Sequence, residues 1–196
     1  GRLLSPAAGA PPVSKLMVPL PEDSPLVVRT YPGRALALSR DGKHIVYATS
    51  GAFLDSRLRL RRLDETSIQV VSGSENARGP FLSPDGEWIG FFDGTEAALK
   101  KVHVRGGRAI TLARGFANAS WMLGEWCDDG TIVFDTWNGG LRTVPGDGGE
   151  VRVLTQPKEE WHLDPQPLPG PCRVLFFSYR DEGEAIEAIS IKDGAR

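Results

Sequence analysis

A short turn motif recurs at nearly constant intervals along the sequence, and it restricts the available folds more than any other feature. The four copies are Ser39-Arg40-Asp41-Gly42, Ser83-Pro84-Asp85-Gly86, Asp128-Asp129-Gly130 and Leu168-Pro169-Gly170-Pro171. Their glycines are spaced by 44, 44 and 40 residues. In an Asp-Gly step the aspartate accepts hydrogen bonds from backbone amides ahead of it, and the glycine adopts a positive φ. The Asp-Gly copies therefore predict tight hairpins.

Each turn is followed by a short apolar run with the composition of a β-strand. These runs are His44–Tyr47, Trp88–Phe92, Thr131–Phe134 and Arg173–Phe177. Beyond each run come two apolar residues three positions apart, a second turn and, in the first three copies, a closing strand. Four strands in roughly 40–45 residues are typical of propeller blades rather than of helices or βαβ units. Four hairpins in a β-sandwich are the alternative.

The sequence thus predicts an all-β fold, a β-propeller built from four four-stranded repeats. We place the repeats at residues 34–73, 78–114, 121–156 and 161–194. Residues 1–14 are interpreted as a linker and residues 15–196 as the propeller. The fourth repeat lacks its outer strand, and an unpaired edge invites association. We therefore expect an apolar strand at Lys15–Leu20 to pair with Ile186–Ile191, within one chain or across the two-fold axis of an eight-bladed homodimer.

The turn motifs and the strands that follow them resemble the TolB-type, WD40-like propeller repeat. Residues 83–92 match its usual form, Ser-Pro-Asp-Gly followed by an apolar strand, and the copy at 39–47 departs from it only at Arg40. The third copy has Cys127 and Asp128 where Ser and Pro are usual. The resemblance covers about residues 34–194. It implies a propeller module and, because TolB relatives act in the bacterial envelope, an extracytoplasmic location.

The same repeats also resemble the propeller appended to some bacterial serine/threonine kinases. A glycine-rich loop with its lysine, a His-Arg-Asp and an Asp-Phe-Gly are all missing from the sequence, so the resemblance extends to the propeller and not to the kinase domain. A Gly-x-Ser-x-Gly nucleophile elbow is missing as well. We therefore expect no catalytic residues and no enzyme activity in this chain.

Composition and charge exclude several other classes of function. Lys and Arg number 23 against 25 Asp and Glu, so no basic surplus indicates nucleic acid. No apolar run approaches the roughly 18 residues of a membrane-spanning helix. The three histidines, His44, His103 and His162, occupy different positions in their repeats, which indicates neither a metal site nor a cofactor site. Cys127 and Cys172 are interpreted as buried free thiols.

Partner binding is the remaining function, and two sets of residues are candidates for it. Trp137, Asn138, Trp161 and His162 are predicted to lie on loops of the last two repeats, where Trp favours recognition, although packing between blades is the alternative. Counting back eight residues from each turn glycine gives Arg34, Arg78, Met122 and His162 around the channel mouth. This mixed ring is polar enough to hold water or a peptide segment.

These observations favour a non-catalytic module that binds a protein or peptide, or acts as a scaffold. The alternatives are the gating propeller of a larger prolyl-oligopeptidase-type hydrolase and the sensor domain of a bacterial kinase. A Gly-x-Ser-x-Gly elbow encoded downstream of the chain would favour the hydrolase. A kinase domain or an envelope-targeting sequence encoded upstream would favour the binding module.

Overall fold

Four antiparallel sheets follow one another along the chain in the computed structural model of this protein. The predicted all-β architecture of four repeats is confirmed, and the sheets are called blades 1 to 4. No helix in the described part of the chain is long and apolar enough to cross a membrane. The structure describes residues 17–22, 25–26, 34–49, 56–117, 119, 122–136, 139–158, 160–170, 173–181 and 183–194.

Within each blade, consecutive strands pair antiparallel as a meander. Blade 1 consists of β1 (Leu36–Leu38), β2 (His44–Ala48), β3 (Leu58–Arg62) and β4 (Gln69–Val70). Blade 2 consists of β5 (Ala77–Leu82), β6 (Trp88–Asp93), β7 (Ala98–His103) and β8 (Ile110–Arg114). Blade 3 consists of β9 (Gly124–Trp126), β10 (Thr131–Thr136), β11 (Gly140–Pro145) and β12 (Arg152–Val153). Blade 4 has, among the described residues, β13 (Glu160–Pro167), β14 (Arg173–Arg180) and β15 (Gly183–Ser190).

The turn between the first two strands of blade 2 is held by its own serine and aspartate. Asp85 Oδ1 accepts the Ser83 hydroxyl and also the Glu87 N–H at 3.0 Å, while Ser83 Oγ accepts the Trp88 N–H at 2.9 Å. These bonds fix the chain reversal, and Gly86 completes it with φ +73°. The prediction that Asp85 serves its own turn and that Gly86 has a positive φ is confirmed.

Blade 1 repeats this turn with the same two side chains, and blade 3 repeats it without the serine. In blade 1, Ser39 Oγ lies 2.6 Å from Asp41 Oδ1 and accepts the His44 N–H at 2.8 Å. In blade 3, Cys127 stands at the serine position, and its carbonyl accepts the Gly130 N–H at 3.1 Å. The main-chain hydrogen bond of the turn is thus kept without the serine hydroxyl. Cys127 is a buried thiol outside any disulfide, as expected, and Cys172 lies outside the described residues.

The blades pack face to face through alternating side chains of their strands. Successive residues of a strand point to opposite faces, so β6 directs Phe91 toward the core shared with blade 1 and Phe92 toward the core shared with blade 3. The Phe92 ring centre lies 6.3 Å from that of Phe134, and Phe81 lies 6.2 Å from Trp126. A blade between two others is therefore apolar on both faces.

A third core joins blades 3 and 4. It is formed by Cys127, Val133 and Leu141 of blade 3 with Val174, Phe176 and Ile189 of blade 4. The first strands lie innermost, since β5 contacts β1 and β9, and β9 contacts β13. This arrangement places the first strands around a common axis, as in a propeller.

Within one chain, residues 17–20 do not form the predicted closing strand, and its pairing across a two-fold axis stays a prediction. Residues 17–20 belong to no strand, Met17 is exposed, and residues 15 and 16 lie outside the described residues. Among the described residues, β15 pairs with β14 alone, and the ring of sheets is not closed. The nearest described segment instead makes one antiparallel bridge, between Leu26 and Thr49 of blade 1. Pro19 and Pro21 cannot donate to a ladder, which explains why the apolar run does not continue one.

Replacing Gly86 by valine should destabilise the protein by roughly 1–3 kcal/mol, because a β-branched residue is strained at a positive φ. The free energy of unfolding from urea titration measures the effect. Glu87→Val is the matched control, since Glu87 lies in the same turn and is not among the residues with positive φ. The control should lose less than about 1 kcal/mol. Equal losses for the two variants would contradict a strained turn glycine.

Candidate functional site

Three blades contribute charged side chains to a cluster at the axis. Arg34, just before β1, forms ion pairs with Glu125 of β9 and with Asp164 of β13, the latter at 3.1 Å between Nη2 and Oδ1. The side chains of Arg34 and Glu125 keep 24% and 22% of their surface exposed, so both pairs remain within reach of solvent. We call Arg34, Glu125, Asp135 and Asp164 the axial cluster.

Asp164 reaches the axis because β13 is irregular at this point. The register of β13 against β14 shifts between Leu163 and Gln166, and Asp164 takes the left-handed φ of +50°. A bulge of this kind bends a strand and redirects a side chain. The Asp164 main-chain N–H then points to Asp135 Oδ2 at 3.0 Å, and the Gln166 amide donates to Asp164 Oδ1 at 3.0 Å.

Asp135, near the end of β10, is the buried member of the axial cluster. Its Oδ1 accepts the Leu123 N–H at 2.9 Å and its Oδ2 accepts the Asp164 N–H, so one carboxyl group joins the entrance of β9 to the bulge of β13. Burial raises the pKa of Asp135 to about 7, although the two N–H donors and Arg34 act in the opposite direction. This carboxyl group therefore changes its charge near neutral pH.

A second arginine links blades 1 and 3 at the opposite end of β1. Arg40 forms an ion pair with Asp128 and donates from Nη2 to the Trp126 carbonyl at 3.1 Å. Arg34 and Arg40 thus flank β1. Arg34 pairs with Glu125 in β9, and Arg40 pairs with Asp128 in the turn that follows β9. Blades 1 and 3 are connected by charge at both ends of their innermost strands.

The predicted ring of four residues is not assembled as one polar site. Arg34 lies in the axial cluster, whereas Arg78 lies in β5, partly buried, opposite Phe92 and beside the bulge at Gly79. Met122 is almost fully buried in the core between blades 2 and 3. Counting back from the turns ignores bulges, and those in β5 and β13 change which residues face the axis.

His162 is not on a loop surface, which corrects the prediction for this residue. It lies in β13 with 1% of its surface exposed, and its Nδ1 is 2.7 Å from Thr155 Oγ1. Its ring packs 4.7 Å from that of Phe176, and the Thr155 hydroxyl also accepts the Leu141 N–H at 2.8 Å. The imidazole therefore belongs to the packing between blades 3 and 4.

Trp161 lies next to His162 in β13 and, because side chains alternate along a strand, on the other face of blade 4. The residue is 44% exposed, and its ring centre lies 6.2 Å from that of Tyr179. The other two residues proposed for this loop surface, Trp137 and Asn138, lie outside the described residues. The structure thus separates Trp161 from His162, and the predicted surface does not bring the two together.

The acidic members of the axial cluster were missed by the sequence analysis. One signal was available for Asp135, because Phe-Asp stands at the end of the second strand in blade 2 and one residue before its end in blade 3. The corresponding Asp93 is also buried and accepts the Thr95 and Glu96 N–H groups at 2.9 and 3.0 Å. Asp164 gave no such signal, since its position depends on the bulge. Across the described ranges, no group of three His, Cys, Asp or Glu side chains is arranged to hold a metal.

Sheets stacked face to face, with their first strands innermost, define the protein as a β-propeller. Its fold is that of the TolB-type propellers. A structure of putative TolB from Agrobacterium tumefaciens has a TM-score of 0.69 and 18% identity, over 83% of this chain and 62% of that one. For TolB from Acinetobacter baumannii the TM-score is 0.65 and the identity 17%, over 83% and 42% of the chains. This chain thus spans about three fifths and two fifths of these two proteins.

Propellers of enzymes share the same fold. A prolyl endopeptidase structure has a TM-score of 0.59 and 14% identity, over 83% of this chain and 27% of that one. Comparison of the sequence with protein-family models and with curated proteins finds no match. The structural neighbours therefore identify the fold, and they include both TolB propellers and propellers of hydrolases.

The titration of Asp135 should appear in the pH dependence of stability. Its pKa is about 7 in the folded protein and near 4 when unfolded, so its stabilising contribution is complete below pH 4 and lost as the pH rises through 7. Asp135→Asn removes this titration and also one acceptor for the two N–H groups. We expect the variant to be less stable than wild type at pH 5.

The difference in the free energy of unfolding between wild type and Asp135→Asn should become smaller toward pH 8, by at most about 1.4 kcal/mol per pH unit. Urea unfolding of both proteins at several pH values measures it. Asp93→Asn is the control, because it removes the corresponding buried carboxyl group of blade 2, which is paired with Lys100 at 2.8 Å. A difference between wild type and Asp135→Asn that stays constant from pH 5 to 8 would show that Asp135 does not titrate there.

Proposed function

We propose that this chain is a non-catalytic propeller module that binds a peptide segment of a protein partner at the axial cluster. The proposal rests on the position and exposure of Arg34, whose partly exposed guanidinium group lies at the axis, where the blades meet. It is held in place by Glu125 and Asp164 from two other blades. A guanidinium group offers several N–H donors in a fixed plane, which suits recognition of carboxylates and peptide carbonyls.

Rigidity of the surroundings supports binding at this position. Asp135 fixes the backbone on both sides of the cluster, at Leu123 and at Asp164, by two hydrogen bonds. A site whose side chains are already positioned loses less conformational entropy when a partner binds. The arrangement therefore favours recognition by a preformed surface rather than by an adaptable loop.

In the part of the chain that the structure describes, two hydroxyl groups that lie beside a base or an acid are already engaged, which supports a non-catalytic role. Thr155 and His162 form a hydroxyl–imidazole pair, but both are nearly fully buried between blades, and the hydroxyl is engaged by a backbone amide. The hydroxyl of Ser83 is likewise used within its own turn. Nucleophilic catalysis requires a hydroxyl or thiol that can reach a substrate together with its base.

A second candidate function is the gating propeller of a larger hydrolase of the prolyl-oligopeptidase type. The similarity to a prolyl endopeptidase propeller favours it. Sequencing the DNA on both sides of the coding region would distinguish the two candidates. A Gly-x-Ser-x-Gly elbow in frame downstream would support the gating role, whereas a kinase domain or an envelope-targeting sequence upstream would support the binding module.

The proposal predicts that peptides bind and that binding depends on Arg34. The purified protein is probed with an array of random-sequence peptides, and the affinities of the retained peptides are measured by fluorescence anisotropy. Arg34→Gln should weaken binding about tenfold or more, as expected for an arginine at the centre of an interface. Its melting temperature should change little, because the side chain is partly exposed.

Arg62→Gln is the matched control. Arg62 is an exposed blade 1 arginine that pairs with Asp64 at 2.8 Å and with Glu65 at 3.3 Å, away from the axis. Its substitution should leave peptide affinity unchanged. An equal loss for Arg34→Gln and Arg62→Gln, or no retained peptide, would refute binding at the axial cluster. Turnover of peptide or ester substrates, lost on substitution of one Ser, Cys or His, would refute the non-catalytic role.

A further inference from the structure

Blade 4 has one face packed against blade 3 and one apolar face that is exposed. Val174, Phe176 and Ile189 belong to the buried face. Residues on the other face alternate with them along the strands, and we call this surface the outer face of blade 4. It comprises Trp161, Leu163, Leu175, Phe177, Tyr179 and Ile186.

These side chains are neighbours across the strands and form one patch. Trp161 is opposite Tyr179, and Phe177 is paired with Leu163 on one side and Ile186 on the other. Ile186 is 77% exposed, Tyr179 47% and Trp161 44%. Blades 2 and 3 bury comparable aromatic and aliphatic side chains on both of their faces. The outer face of blade 4 therefore has the composition of an interface between blades.

Two opposite charges mark the ends of this patch. Arg173 begins β14 and is opposite Ser190, whereas Glu184 is opposite Tyr179 at the other end of the same face. Both charged residues are exposed. They are separated by about six residues along β14, roughly 20 Å at the rise of a strand. The surface thus carries a positive end, an apolar centre and a negative end.

This charge pattern is complementary to itself when one copy is reversed. We infer that the outer face of blade 4 binds the same face of a second copy of this chain. The two-fold axis lies between the two sheets, parallel to their planes and perpendicular to their strands. The facing strands are then antiparallel, so Glu184 of each copy lies over Arg173 of the other. Phe177 and Ile186 then meet at the centre. The parallel arrangement would place Glu184 on Glu184 and Arg173 on Arg173, which is unfavourable.

The size of the face sets the expected strength of this dimer. Three strands of eight residues cover about 26 by 14 Å at the usual rise and spacing of strands. Such a surface, roughly 360 Å² per copy, is smaller than the ~800 Å² per partner of a standard stable interface and has the size expected of a weak and transient complex. The dimer should therefore form and dissociate in the micromolar concentration range. Its symmetry closes the contact, so assembly stops at two copies.

Sedimentation equilibrium of the full chain over a micromolar concentration series tests the inference. Wild type should show a monomer–dimer equilibrium. Ile186→Glu should weaken dimerisation about tenfold or more, because it places a charge at the apolar centre of the interface. Val153→Glu is the matched control: Val153 is an exposed aliphatic residue of β12, outside the outer face, and its variant should dimerise like wild type.

Charge exchange distinguishes this dimer from other associations. Glu184→Arg alone and Arg173→Glu alone should each weaken the dimer, and the double variant should restore it. A ring closed through blade 1 would not be restored, because there the outer face of blade 4 would meet a different surface and not its own copy. Circular dichroism confirms folding of each variant. A wild-type monomer at all concentrations, growth beyond a dimer, or failure of the double variant to restore association would overturn the inference.

Discussion

Face-to-face packing of twisted sheets is the constraint on which the rest of this structure depends. Each strand directs alternate side chains to two faces, and a central blade must bury both of them. Phe91 and Phe92 are adjacent in β6 and point to opposite faces, so Phe91 packs against blade 1 and Phe92 against blade 3. The stacking keeps the innermost strands close together. The axial cluster exists because three blades converge there, and no single blade contains it.

Close packing also explains a glycine inside β6. A Cβ atom at Gly90 would lie 2.2 Å from the ring of Phe81, which is fully buried in the core between blades 2 and 3. The strand therefore accepts the lower β-propensity of glycine at this position in exchange for a large aromatic side chain in the neighbouring strand. Glycine is therefore required twice near β6: Gly86 allows the turn before the strand, and Gly90 leaves room for the Phe81 ring within it.

The fold could be predicted from the sequence because its main signals are local. The hydrogen bonds of Asp85 and Ser83 involve residues within five positions of one another, so the motif alone determines the hairpin. The axial cluster could not be predicted in the same way. Asp164 reaches Arg34 across 130 residues, and only because β13 contains a bulge. His162 was misplaced because a position beside a loop does not tell which face of a strand a residue occupies.

The two arginines that flank β1 connect blades 1 and 3 through ion pairs whose strength depends on dissolved salt. Arg34 and Arg40 form their ion pairs at solvent-accessible positions, whereas the cores between blades are apolar. Dissolved salt screens exposed charges but does not weaken apolar packing. Raising the ionic strength therefore loosens the links across the axis while the blades remain stacked.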